Sequence, residues 1–402
     1  MTRGLRFPLL AEERQERGCR AGPGVHQVMA KKSAKIQHHF ATLTDPRRRP
    51  PVYPLINIVT IAICAVICGA DDFVAIAEFG KARRAWFSRF LDLKEGVPSH
   101  DRFNAIFATI NPAEFEKCLL SWVTALHEIS GGQVIAIDGK TLRRSYDTAS
   151  GKAAIHMVSA WATANSISLG QVVTDAKSNE ITAIPKLLEI IDISGALVTI
   201  DAMGCQTKIA QKILDGKGNY VLHVKENQPT LYQAIQDYFI NRLENDFAGT
   251  TYRSYQTEGK GHGREETRSY YLCRLPADLA DAARWPGLKA IGVVISITQR
   301  DGKECTDVRY YILSQYLSAR RFAGAVRGHW GIENRLHWQL DVTFQEDLCR
   351  IRKGHADANF SILRRTALAM LKNETTSKVG IKNKRLTAAW DETYLAQILV
   401  GT

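Results

Sequence analysis

Between residues 133 and 225 short β-branched runs alternate with helical stretches, and that order limits the fold more than any other feature. QVIAID (133–138), HMVSAWA (156–162) and ISLGQVV (167–173) are bounded by turn residues and read as three strands of a meander. A helix over 180–192 with Pro185 in its early part follows, then a strand ALVTID (196–201), a helix over 206–214 and a strand YVLHVK (220–225). The order β-β-β-α-β-α-β predicts an α/β fold on a sheet of mixed direction.

The flanks divide the rest of the chain. After a helix over 229–242, residues 250–313 turn strand-like again in SYYLCRL, AIGVVISITQ and VRYYILS, which predicts a β-rich insertion over about 245–313 inside a catalytic domain of 129–385. A helical block follows over 318–372, and 386–402 read as a C-terminal tail. Upstream, residues 31–128 predict a small all-helical domain, with a helix start at Pro98-Ser99-His100-Asp101 and a basic linker at Arg47, Arg48 and Arg49. Residues 1–30 lack apolar periodicity and read as an unstructured extension, or as the product of a start assigned upstream of Met29.

The apolar run LINIVTIAICAVICGA (55–70) is 16 residues long and carries Asn57 and Thr60, short of the roughly 18–20 that cross a bilayer. It reads as a buried core helix. No secretion signal is evident, and eight scattered cysteines without a CxxC pair suit a reduced, cytoplasmic protein. Lys plus Arg number 53 against 41 Asp plus Glu, and the net charge of +12 favours a polyanionic partner, nucleic acid before an acidic membrane surface.

Two strands end in aspartate, Asp138 in AIDGK and Asp201 in TIDAMG. An aspartate closing a strand is usually a turn former, but functional groups of open α/β sheets also gather at strand ends, so a third carboxylate at that edge would shift the balance. HWGIENRLHWQLDVTFQED (329–347) offers one: at helical spacing His329, Glu333 and His337 share a face, among Trp330, Asn334, Leu336 and Trp338. The bland alternative is an amphipathic helix buried through its Trp and Leu side chains.

Carboxylates from two strands and a helix, without cysteine, suit hard cations such as Mg2+ or Mn2+. Two such ions about 4 Å apart would serve in-line phosphodiester displacement. A zinc hydrolase using His329, Glu333 and His337 is a competing reading, but HEXXH places its acid next to the first histidine and here it lies midway. Basic residues recur after each acidic element: Lys140, Arg143, Arg144, Lys225, Arg264, Arg268, Arg350, Arg352, Lys353, Arg364 and Arg365. Such recurrence is what phosphate positioning requires.

DGKTLRRS (138–145), TIDAMGCQ (199–206), VKENQPTL (224–231), HGREETR (262–268) and the 329–347 segment together resemble bacterial insertion-sequence transposases of the DDE class, in the group of the H-repeat-associated proteins. The resemblance runs from about residue 36 to 400, including DPRR near the start and RLTAAWDETYL near the end. It implies a ribonuclease H-like catalytic fold and assigns the DDE triad, and with it the metal ligands, to Asp138, Asp201 and Glu333, spaced by 63 and 132 residues.

It further implies two Mg2+ ions, replaceable by Mn2+, double-stranded DNA as partner in the form of terminal inverted repeats and target, a homodimer in the DNA complex, and a place on the bacterial nucleoid. Related transposases often carry Arg four residues before the glutamate and Lys seven after it; His329 and Leu340 stand there in this chain. Phosphate contacts made elsewhere by that pair are then expected from His329, His337 or nearby arginines, or to be weaker, and the DNA-binding residues expected over the whole chain are Lys140, Arg143, Lys225, Arg264, Arg268, His329, His337, Arg350 and Arg352. A DNA-binding relic that has lost cleavage is the alternative within the family.

Overall fold

A computed structural model describes residues 36–126, 133–146, 153–174, 180–261, 264–300 and 302–400. The expectations for residues 1–30 lie outside the described residues. In chain order the elements are α1 (Ile36–His39), α2 (Leu55–Ile67), α3 (Phe73–Ala82), α4 (Arg84–Phe87), α5 (His100–Phe107), α6 (Pro112–Leu126), β1 (Val134–Thr141), β2 (His156–Ala162), β3 (Ile167–Thr174), α7 (Glu180–Ile190), β4 (Leu197–Ile200), α8 (Thr207–Asp215), β5 (Asn219–Val224) and α9 (Pro229–Glu244). Then follow β6 (Tyr252–Gly261), β7 (Arg264–Arg274), β8 (Ala290–Arg300), β9 (Lys303–Leu313), α10 (Ala319–Gly331), a π-helical segment (Ile332–His337), α11 (Trp338–Val342), α12 (Ala356–Asn373), α13 (Ile381–Trp390) and α14 (Glu392–Val400).

The chain divides into two compact units, one of Ser130–Leu142 and Ala153–Trp338, the other of Met1–Ile129, Arg143–Lys152 and Gln339–Thr402. The first holds a nine-stranded mixed sheet in the order β3-β2-β1-β4-β5-β9-β8-β7-β6. β1, β4 and β5 run parallel to one another, and every other pairing is antiparallel. All the strands expected between 133 and 225 are present. The β-rich stretch adds four strands to the same sheet, of which β6 escapes notice in the sequence because its residues are almost all exposed and show no apolar alternation.

On this sheet α10 lays Phe322, Ala323 and Val326 against Leu197, Val221, Tyr270 and Leu272, all of them buried. Ser318 caps the helix by accepting the Arg321 N–H. The packing fixes the course of the chain into the π segment, and so the position of Glu333.

The second unit is helical in its described residues. α2 is buried along nearly its whole length, as expected of an apolar run too uniform to show a solvent face. No helix among the described residues is long and apolar enough to cross a membrane. Ser99 caps α5 as its sequence predicts, and Asp72 caps α3. Of the segment expected as a tail, residues 386–400 form the end of α13 and α14, with Tyr394, Leu395, Ile398 and Leu399 buried. An all-round apolar helix such as α2 must be covered on every side, and α12 and α13, from the far end of the sequence, supply part of that cover.

Candidate active site

β1 and β4 pair in parallel with Ile137 opposite Ile200, so the next residues, Asp138 and Asp201, leave the register side by side. β1 does not end at Asp138 as its sequence suggests. Pairing with β4 stops there, but pairing with β2 carries the strand on to Thr141. Asp138 Oδ1 accepts the Gly139 N–H at 2.9 Å, and Asp201 Oδ1 accepts the Gly204 N–H at 3.2 Å. Asp201 thus also does the local turn chemistry that made it ambiguous in the sequence, whereas Asp138 stands inside a strand.

Glu333 lies in the π segment, not in a regular α-helix. A helix of wider turn shifts the phase of the residues after it, which is why such segments recur at functional sites. Asp138, Asp201 and Glu333 line one cavity of about 880 Å3, together with Thr199, His223, Lys225, Asn227, Arg309, His329 and Trp330. Burial pushes the Asp138 carboxyl up to about 7, the Gly139 N–H opposes that, and the negative charges of Glu180, Asp201 and Glu333 add to it. Asp201 is likewise raised by burial and by Glu180, while Lys225 pulls it down. Among the described residues no three His, Cys, Asp or Glu side chains are grouped tightly enough to hold a metal ion as they stand.

The histidines differ in their partners. His337 Nδ1 lies 3.5 Å from Asp138 Oδ2. His329 Nδ1 lies 3.3 Å from the Thr199 hydroxyl, and burial pushes its ring down to about 4, so at neutral pH it offers no charge to a phosphate. The two ring partners lie on different strands, Thr199 on β4 and Asp138 on β1.

The basic residues scatter more widely. Lys225, exposed just beyond β5, is on the cavity wall. Lys140 is buried on β1. Arg264 and Arg268 on β7 both pair with Glu266 and do not line the cavity. In the helical unit Arg143 pairs with Asp347 at 3.4 Å, and Arg350 and Arg352 line a separate cavity of about 950 Å3 with Asp71, His100 and Lys353. Arg364 and Arg365, grouped with the phosphate-facing residues in the sequence, are instead buried in α12: Arg364 donates to the Asp71 carbonyl and Arg365 pairs with Glu346. A helix face against a core hides such side chains whatever their charge.

Several residues of the site go unread in the sequence. Glu180, at the first turn of α7, has no spacing signal linking it to Asp138. His223 is stacked on Tyr311 and held down to about 3 by burial and by Lys225 and Arg309. Arg309 lies over the Trp330 ring at 4.3 Å. The ENQP motif did carry a signal: Asn227 donates to the Ala202 carbonyl at 2.7 Å and Gln228 to the Cys205 carbonyl at 3.0 Å, pinning the loop behind Asp201.

Comparison with known proteins bears out the resemblance. Residues 129–370 match the family described as the transposase DDE domain, and residues 37–123 match the DDE_Tnp_1-associated family. The chain is 41% identical over 379 residues to the "H repeat-associated putative transposase YhhI" of Escherichia coli K12, covering 92% of this chain and 98% of that one. It is 40% identical over 368 residues to the "Putative transposase YncI" of Escherichia coli O157:H7, covering 90% and 94%.

Proposed function

This chain belongs to the transposase family defined by that DDE domain, and from that premise we propose that it cleaves the ends of its own insertion sequence and joins the freed 3′-hydroxyls to target DNA, with Asp138, Asp201 and Glu333 as the catalytic carboxylates. The observation that carries the reading is the parallel β1–β4 register, which brings two aspartates 63 residues apart in sequence to one cavity that Glu333 also lines. The strand order β3-β2-β1-β4-β5 on one side of the sheet supports a ribonuclease H-like core, with β6–β9 as the insertion.

The donor chemistry fits a divalent cation. Burial and the neighbouring charges of Glu180, Asp201 and Glu333 raise the proton affinity of the half-buried Asp138 carboxylate, a strain that a hard ion such as Mg2+ would relieve, and Asp138, Asp201 and the exposed Glu333 are the residues that would hold it. When bound, such ions supply charge neutralisation at the attacking and leaving oxygens of the phosphodiester. The chain's own part is to orient. The Gly139 and Gly204 amides fix the two aspartates, Asn227 and Gln228 hold the loop behind Asp201, and Lys225 offers a cation on the wall where a DNA phosphate would lie. His337 beside Asp138 is placed to donate to that carboxylate or to a phosphate oxygen. Joining two ends calls for two copies of the chain on the DNA.

The test uses labelled DNA carrying the element's ends, with Mg2+, Mn2+ or chelator, and compares wild type with Glu333→Ala. Metal-dependent nicking that falls by roughly a thousandfold or more in the variant, with end binding retained, is expected for loss of a group acting at the reacting atoms. Nicking unchanged by the substitution would overturn the assignment, and inactivity of both proteins with end binding intact would favour the relic.

A further inference from the structure

Thr141, His156 and Glu180 form a chain of hydrogen bonds that ends beside Asp138. The antiparallel register of β1 and β2 sets Thr141 opposite His156, and the Thr141 hydroxyl lies 2.8 Å from His156 Nδ1. The other ring nitrogen, Nε2, lies 3.0 Å from Glu180 Oε1. One neutral tautomer satisfies both contacts: the hydroxyl donates to Nδ1, and the Nε2–H donates to the carboxylate. His156 and Glu180 are both partly buried, with side-chain exposures of 26% and 15%, so the pair is shielded from competing water.

Gly139 makes room for this pair. A Cβ there would overlap Glu180 Oε1 and stand 2.6 Å from His156 Nε2. Gly139 is not among the residues of positive φ, so the glycine serves the close approach of Glu180 rather than an unusual backbone. The carboxylate so placed lies against β1 at the residue next to Asp138.

We propose that Glu180 is a positioning residue of the carboxylate site: hung from His156 over the surface that Gly139 leaves open, it adds a fourth negative charge beside Asp138 and Asp201 and tightens their hold on a divalent cation. The inference rests on the reading of Asp138, Asp201 and Glu333 given above. Its cause is Coulombic, since a charge beside a half-buried site changes the affinity for a cation far more than one in open solvent. The bonds from His156 and Thr141 hold that charge over Gly139, next to Asp138 in the strand.

Mn2+ is the probe, and the free ion is counted by electron paramagnetic resonance as it is titrated into the full-length protein without DNA. Glu180→Gln, which keeps the shape and removes the charge, is expected to weaken Mn2+ binding on the order of tenfold at unchanged stoichiometry. Glu180→Asp, which keeps the charge, is expected to restore most of it. Gly139→Ala is the second variant: its methyl group meets only side-chain ends that can swing aside, so it displaces Glu180 without disturbing the backbone and should weaken binding in the same way. A merely structural role would lower the number of binding sites and the melting temperature together, and would leave the affinity of the remaining sites unchanged.

Wild-type affinity in Glu180→Gln overturns the inference. Asp201→Ala, run alongside, judges the underlying reading: if it abolishes binding while Glu180→Gln does not weaken it, only the role of Glu180 falls, and if neither variant changes binding both fall together.

Discussion

Asn227 and Gln228 show how side-chain amides can serve a site by holding its backbone. Each donates to a backbone carbonyl of the loop that follows Asp201, at Ala202 and Cys205. Asn227→Ala leaves the Ala202 carbonyl without that donor. The expected cost in stability is about 1–2 kcal/mol by denaturant titration. The effect on nicking should be larger in proportion, roughly tenfold or more, because a small misplacement of a carboxylate degrades the geometry of the reacting atoms. A nicking rate equal to wild type would show that the loop holds itself. At this scale the sequence displayed Asp138, Asp201 and Glu333 but hid Glu180 and His223. Strand ends and motif spacing mark the first three, whereas nothing local ties residue 180 to residue 138.

At the scale of elements the instructive contrast is between the π segment and α12. The sequence of 329–347 predicts one helix face for His329, Glu333 and His337, and the chain is helical there, but the hydrogen-bond pattern widens over Ile332–His337. Residue periodicity reports that a segment is helical and cannot distinguish 3.6 residues per turn from a locally wider turn. In α12 the charged residues that look solvated are interior. Arg365 and Ser361 converge on Glu346, whose Oε1 lies 2.6 Å from the serine hydroxyl and 3.3 Å from the arginine. Glu346→Ala would strand a buried guanidinium, and a loss of about 3–5 kcal/mol is expected. Chemical denaturation followed by far-UV circular dichroism measures it, and a loss below ~1 kcal/mol would mean that Arg365 finds another partner or water.

On the scale of the whole molecule, the helical unit is assembled from both ends of the chain. Arg385 donates to the Val66 carbonyl and pairs with Asp71, both at 3.0 Å, and Lys384 pairs with Glu374 at 3.1 Å. Burial works to raise the Glu374 carboxyl, but the Thr376 and Tyr394 hydroxyls and Lys384 outweigh it and hold the group down to about 2. A carboxyl depressed by folding stabilises the native state above its unfolded pKa, and that stabilisation is lost as pH falls toward the folded value. The melting temperature of wild type should therefore exceed that of Glu374→Gln near neutral pH, with the gap closing between about pH 4.5 and 2. A gap independent of pH over that range would assign the effect to shape rather than charge.

The order of strands and helices from 133 to 225, the burial of the 55–67 helix and membership of the family were legible in the sequence, because apolar periodicity, turn residues and motif spacing are properties of neighbouring residues. Tertiary structure decided what depends on distant ones. It set β1 beside β4 so that Asp138 and Asp201 share an edge, laid α10 on the sheet so that Glu333 reaches their cavity, and brought Glu180 over Gly139. It also turned Arg364 and Arg365 inward and enlisted α13 and α14 in the helical unit. The physical reason is that a strand's own pattern fixes which face is apolar but not which strand it pairs with. A charged side chain, likewise, is exposed or interior according to what the rest of the chain packs against it.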